Sequence, residues 1–151
     1  MKIYMGIDPG FTGAWGMIDE CSRYVQVGDM HNDKKLVNTK LVASEISLAR
    51  ANQDMEIVLE AVHSMPNQGV SSSFKFGMAY GVALSLAERF SCPWQLVTPQ
   101  RWKKEMGLSS DKNESLAMAR MLWPMAPLSR QKDNGRAEAL LLAEWFRRLD
   151  E

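Results

Sequence analysis

"YMGIDPGFTGAWGMID", residues 4–19, sets one carboxylate, Asp8, between an apolar run and a Pro9-Gly10 turn that leads into a second apolar run. Two short runs rich in apolar and β-branched residues, joined by such a turn, read as an antiparallel hairpin. A third run at 24–30 follows the turn-forming Asp19-Glu20-Cys21-Ser22, so strands at 3–8, 13–19 and 24–30 are predicted to open the fold as a meander.

The remaining pattern changes period. From Lys34 to Ala51, apolar residues recur at Leu36, Val37, Leu41, Val42, Ile46 and Ala49, the spacing of an amphipathic helix. "MEIVLEAV", 55–62, reads as a buried strand carrying a second isolated acid, Glu60. A helix over Ser72 to Phe90 places Gly77 and Gly81 four apart on one face, where missing side chains admit another backbone. "WQLVTP" is a fifth strand stopped at Pro99, and helices follow at 99–106, 112–122 and 135–149, the last with Ala139, Leu142, Ala143 and Phe146 inward. A strand-helix-strand crossover implies parallel neighbours, so the expected architecture is α/β, a mixed five-stranded sheet flanked by helices.

With 151 residues, 46% of them hydrophobic, one domain over 1–151 with a sizeable core is expected. The 18 basic residues balance the 18 acidic ones, so global charge selects no partner. Its distribution is more informative: Pro99 to Arg136 holds eight basic residues against four acidic, a net +4 that the rest of the chain offsets. Two cysteines, Cys21 and Cys92, are too few and too far apart for a disulfide framework or a zinc site. No apolar run approaches the roughly 20 residues of a membrane span, and no signal pattern opens the chain, so a soluble cytoplasmic protein with no membrane partner is expected.

Three acids stand out by position: Asp8 at the end of the first strand, Glu60 near the end of the fourth, and Glu138 in the first turn of the last helix. Each alone has an ordinary explanation as a turn residue, a solvated strand end or a partner of the helix dipole. Together they point elsewhere, because the carboxyl ends of neighbouring strands in an α/β sheet face one crevice. Carboxylates gathered there repel unless they share a cation, and hard oxygen donors select Mg²⁺, with Mn²⁺ as substitute. Beside a basic segment, such a cluster suits metal-assisted attack on a phosphodiester by two ions about 4 Å apart.

In order and spacing, "GIDPG", "VLEAVH", "SSSFKFGMAYGVALSLA", "VTPQRWKK" and "NGRAEALLLA" resemble the motifs of RuvC-type Holliday junction resolvases, particularly the small phage-type branch. The likeness spans nearly the whole chain. It implies a ribonuclease H-like fold, a homodimer without a small-molecule cofactor, and Mg²⁺-dependent symmetric nicking of four-way DNA junctions. It places Asp8, Glu60 and Glu138 as metal ligands, and Lys103 and Lys112 near the scissile phosphate, with Lys112 catalytic. His63 stands where cellular members of the family carry an aromatic residue at the junction centre.

The same likeness puts a further acid about one helical turn before Glu138. Asn134 occupies that place here, with Asp133 one step earlier. Either the chain tolerates a weaker site, with Asn134 as fourth ligand and Asp133 partly compensating, or, the expected reading, an Asp-to-Asn change preserves junction binding and cripples cleavage. Asp133 as the ligand is the outcome that would overturn it. Ser71, Ser72, Ser73 and Lys75 are candidate phosphate contacts at a helix start, unless one of the serines is simply its N-cap. Arg101, Lys104 and Arg136 complete the expected DNA-binding set. Trp15 and Trp94 read as core, whereas Trp102, Trp123 and Trp145 belong to core or dimer interface. Competing readings are a nuclease acting on other branched DNA or on RNA, and a catalytically idle junction-binding protein.

Overall fold

The computed structural model of the chain describes residues 1–33 and 36–151. Strands β1 (Lys2–Asp8), β2 (Ala14–Asp19), β3 (Val25–Asp29), β4 (Asp54–Glu60) and β5 (Trp94–Val97) form one sheet in the order β3-β2-β1-β4-β5. The first three pair antiparallel, as the meander predicts. β4 runs parallel to both β1 and β5, so the crossover inference holds.

Helices α1 (Thr39–Arg50) and α2 (Val70–Arg89) cover one face of the sheet; α3 (Pro99–Glu105), α4 (Lys112–Leu122) and α5 (Asn134–Leu149) cover the other. Strand alternation sorts the side chains between them. Ile3, Met5 and Ile7 of β1 point into the α1–α2 core, while Tyr4 joins the α5 side.

Several boundaries shift for identifiable reasons. The predicted start of the first helix at Lys34 lies outside the described residues, and Leu36 and Val37 precede the helix, Val37 bridging to Asn32. Asn38 sets the start instead: its side chain accepts a hydrogen bond from the Leu41 N–H. β4 ends at Glu60 rather than at residue 62, because its partner β5 ends opposite at Val97. Thr98 then caps α3 by accepting from the Arg101 N–H, with Pro99 in the first helical turn. α2 begins at Val70 with Gly69 at its N-cap, so none of Ser71, Ser72 and Ser73 serves as the cap.

The last helix departs most from its prediction. It starts at Asn134, after a 3-10 turn at Gln131–Asp133 that its periodicity does not signal, so Glu138 opens the second turn rather than lying in the first. It is also buried nearly all round from Ala137 to Phe146, not only on the predicted inner face, because it lies between the sheet and the α3–α4 layer. Trp102, Trp123 and Trp145 are buried within the chain beside it, which places all three in the core.

Close approach makes this possible. Gly6 and Gly16 sit side by side across β1 and β2. A Cβ on Gly6 would stand 2.1 Å from the Ala139 carbonyl oxygen and 2.8 Å from the Ala143 nitrogen, and one on Gly16 would stand 2.8 Å from the Leu140 nitrogen. The α5 backbone therefore rests directly on sheet backbone. Gly77 and Gly81 are the opposite case: apart from their own helix backbone, no atom of the described residues lies within 4 Å of either Cβ position, so no other described backbone uses the space they leave.

Gly6→Ala is expected to destabilise the fold by about 3 kcal/mol, because α5 would have to lift off the sheet. Gly77→Ala, facing open space in a helix, is expected to be neutral or to stabilise by up to about 1 kcal/mol. Denaturant melts of the two variants check the contrast, and equal effects would refute this account of α5 packing.

Candidate active site

Period two along a strand decides which way each acid points. Asp8 shares its face with Tyr4 and Gly6, and Glu60 shares its face with Val58, so both turn toward α5. The β1–β4 register pairs Ile7 with Leu59, which leaves Asp8 and Glu60 as the next residues at two adjacent parallel strand ends. α5 adds Glu138 from above. Its Gly135 lies with the Cβ position 3.5 Å from Asp8 Oδ2, and that position is only 2.7 Å from the Thr12 carbonyl oxygen, so the helix start is pressed against the β1–β2 turn.

The consequence is electrostatic. Asp8 is sunk among protein atoms with a narrow accessible edge, and its carboxyl is pushed well above the ordinary range, first by burial, then by the charges of Glu60 and Glu138. Lys112 and Lys103 partly offset that rise. Glu60, buried, is raised by the same burial and by Glu138, while a hydrogen bond from Trp102 opposes the shift. Charge on these groups is thus costly until a cation shares it.

Two residues of α3 face this cluster. Trp102 Nε1 donates to Glu60 Oε2 at 2.7 Å, fully buried, and Lys103 Nζ lies 2.8 Å from Glu138 Oε1. Ser115, buried in the first turns of α4, donates to the same Glu138 oxygen at 3.3 Å. Trp102 and Ser115 are the site residues that the sequence reading missed. The signal for Trp102 is its place beside Lys103 in "RWKK", since an indole N–H buried among apolar residues needs an acceptor.

The donor chemistry of Asp8, Glu60 and Glu138 fits hard divalent cations. As they stand, no three Asp, Glu, His or Cys side chains among the described residues converge closely enough to hold one ion. Lys103 and Trp102 each engage one of the carboxylates instead.

The remaining predicted residues divide into two groups. Lys104, Lys112, Ser72, Lys75 and His63 are exposed, and Ser73 is half-buried. Lys112 influences both Asp8 and Glu60. His63 contacts the neighbouring Ser64 carbonyl at 3.0 Å. Arg101 is engaged by Glu105 at 3.2 Å and lies over the Trp145 ring. Arg136 is committed to structure: its Nε and Nη2 donate to the two Asp29 carboxylate oxygens at 2.7 and 2.8 Å, tying α5 to the end of β3 and holding the Asp29 carboxyl below its usual value.

Asp133 is held by its own turn. Its carboxylate accepts from the Arg130 backbone N–H at 2.8 Å and from the Arg130 guanidinium at 2.7 and 3.0 Å, which closes the 3-10 turn; burial alone would raise its pKa, and these bonds together lower it instead. Asn134, next to Gly135 at the first position of α5, makes no such commitment.

No protein-family model matches the chain. One curated relative, the chloroplastic Holliday junction resolvase MOC1 of Chlamydomonas reinhardtii, is 50% identical over 50 residues, covering 30% of this chain and 6% of that protein. The chain therefore spans only a small part of the length of this relative. Two solved structures of Thermus thermophilus RuvC, one in complex with a Holliday junction substrate, each superpose with a TM-score of 0.61 at 18% identity. The first overlap covers 99% of this chain and 96% of that one, and the second 98% and 96%. The chain has the RuvC fold, the ribonuclease H-like arrangement expected from its motifs. No described helix is long and apolar enough to cross a membrane.

The raised carboxyls carry a sign. A group whose native pKa exceeds its unfolded value contributes stability that is present below the unfolded pKa and lost as pH rises through the native one. In chelator, wild type should therefore melt progressively lower than Asp8→Asn as pH rises from about 4, the ordinary Asp range, toward neutrality. Paired thermal melts across that range check it, and a gap independent of pH would contradict the assigned repulsion.

Proposed function

We propose that this chain is a structure-selective DNA endonuclease that resolves four-way junctions by metal-dependent, symmetric nicking, the whole of 1–151 acting as one nuclease domain. One observation carries the reading: Asp8, Glu60 and Glu138 arrive from β1, β4 and α5 at one sheet end, flanked by Lys103 and Lys112. Similarity to a junction resolvase and to RuvC supports the choice of branched DNA, which fold alone does not make.

Asp8, Glu60 and Glu138 would hold the metal, Mg²⁺ or Mn²⁺, in a pair of ions, with Asn134 as a weak fourth donor. The ions would activate water and stabilise the leaving oxygen. The chain's own residues then have defined tasks. Buried Trp102 orients Glu60, and Ser115 orients Glu138. Lys112, exposed at the start of α4, is placed to offset charge developing on the phosphate. Lys103, Lys104 and Arg101 line the α3 side as backbone contacts. The start of α2, with Ser72, Ser73 and Lys75, and the His63 loop form a second contact region beyond β4.

A homodimer completes the unit, since two coordinated nicks on a nearly two-fold junction need two equivalent sites. The exposed stripe of α2 supports this: Val70 and Phe74 are 89% and 69% exposed, and the open faces of Gly77 and Gly81 continue it.

On a synthetic four-way junction, the protein should nick only with Mg²⁺ or Mn²⁺, should leave linear duplex and RNA hybrids intact, and should sediment as a dimer. Asp8→Asn or Glu60→Gln should cut the rate at least about 100-fold while junction affinity is kept, and Lys112→Ala should lower rate more than affinity. Comparable nicking by either acid variant would sink the metal assignment.

Asn134 supports a second reading, that this chain binds junctions better than it cuts them. An amide has the shape of a carboxylate without its charge, and Asp133 is already tied to Arg130. Asn134→Asp should raise nicking by about tenfold or more with little change in junction affinity, whereas Asp133→Asn should lower thermal stability. A neutral Asn134→Asp beside an inactive, fully folded Asp133→Asn would make Asp133 the ligand.

A further inference from the structure

We propose that Lys103 is an internal counter-ion that occupies the acid cluster before metal arrives, and that metal binding evicts its ammonium toward the DNA-facing surface. The inference rests on the metal-dependent reading above and adds a coupling to it: the event that loads the site also frees a cation for the substrate backbone.

The geometry supports an exchange rather than a permanent pair. Lys103 Nζ lies 2.8 Å from Glu138 Oε1, with side chains only 14% and 7% exposed. Nζ also stands 5.5 Å from the centroid of the Trp102 ring, so the ammonium is held on two sides. The same oxygen already accepts from Ser115 at 3.3 Å, and the three acids are not yet gathered about a common point. A divalent ion drawn to Asp8, Glu60 and Glu138 would meet an ammonium on one of its intended ligands, and two cations brought to one buried carboxylate repel each other strongly. Leaving is easy for this side chain: a flexible four-carbon stem carries a single compact charge, and Lys104 next to it is already in solvent.

Neighbouring residues therefore act differently on the cluster. Trp102 offers Glu60 a neutral N–H from a fully buried ring and stays when metal enters. Lys103 offers Glu138 a charge, and it is the group that an incoming cation repels. Because the exchange is an equilibrium, competition is reciprocal: whatever the amine costs the metal, the metal costs the amine.

The test uses the full chain and Mn²⁺ alone, with free Mn²⁺ followed by electron paramagnetic resonance and no DNA present. Lys103→Met should bind Mn²⁺ about tenfold more tightly than wild type, within the usual span of such couplings, while Glu138→Gln binds more weakly. Equal or weaker binding by a folded Lys103→Met, with wild type binding measurably, would overturn the exchange. Binding by neither protein would instead refute the metal-dependent reading. A second measurement needs no variant: amine acetylation of wild type, read residue by residue by mass spectrometry, should label Lys103 several-fold faster with saturating Mg²⁺ than in chelator. Labelling of Lys103 unchanged by a metal that demonstrably binds would refute eviction.

Discussion

The site depends on one steric constraint: the backbone of α5 must lie against the backbone of β1 and β2. Only the Gly6–Gly16 pair permits this, since a single methyl group at either position would overlap helix atoms. The contact fixes the depth and angle of α5, and with them the placement of Glu138 over the ends of β1 and β4. The Arg136–Asp29 fork and the Lys2–Asp150 and Tyr4–Asp150 contacts at 2.6 and 2.8 Å pin the helix toward its two ends, so it can neither slide nor roll freely. A site made from three separate elements needs such a fixed reference.

Electrostatics supplies the opposing demand. Burial and mutual repulsion make charge on Asp8 and Glu60 costly, yet the fold concentrates these acids where it could have dispersed them. α3 answers this with consecutive residues, one an indole donor and one an ammonium. Lys112 adds its field from the start of α4. The net +4 of 99–136 is therefore not a uniform basic surface. Arg130 and Arg136 serve the turn and the sheet edge, Lys103 serves the acids, and Lys104, Lys112 and Lys132 remain exposed.

The two long helices of the sheet's faces have contrasting surfaces for the same reason of packing. α5 is covered from Ala137 to Phe146, whereas α2 buries only Ala79, Ala83, Leu86 and Ala87 and leaves Phe74 and its glycines bare. Small residues thus play opposite parts in the two halves of the fold. The space at Gly6 and Gly16 is filled by an internal partner, and the space at Gly77 and Gly81 by nothing among the described residues.

The sequence by itself determined the order and type of the elements and the strand ends where Asp8 and Glu60 sit, because both follow from local rules: a period of 2 or 3.6 in apolar residues and turn chemistry at Pro9-Gly10. From these, Asp8 and Glu60 could be placed at one crevice, and the resemblance to the resolvase motifs added Glu138. Tertiary structure alone decided what the polar side chains near it do. Asp133 and Asn134 are adjacent and chemically similar, yet one is locked by Arg130 and the other is not. Arg136 reads as a DNA contact, and packing gives it a further task as a clamp on Asp29, 107 residues away in the chain. Trp102 reads as core or dimer interface and, buried in the core, holds Glu60, 42 residues away. Periodicity reports which side of an element is buried, but a hydrogen bond or ion pair depends on an ångström-scale distance to a partner that only the packed chain brings near.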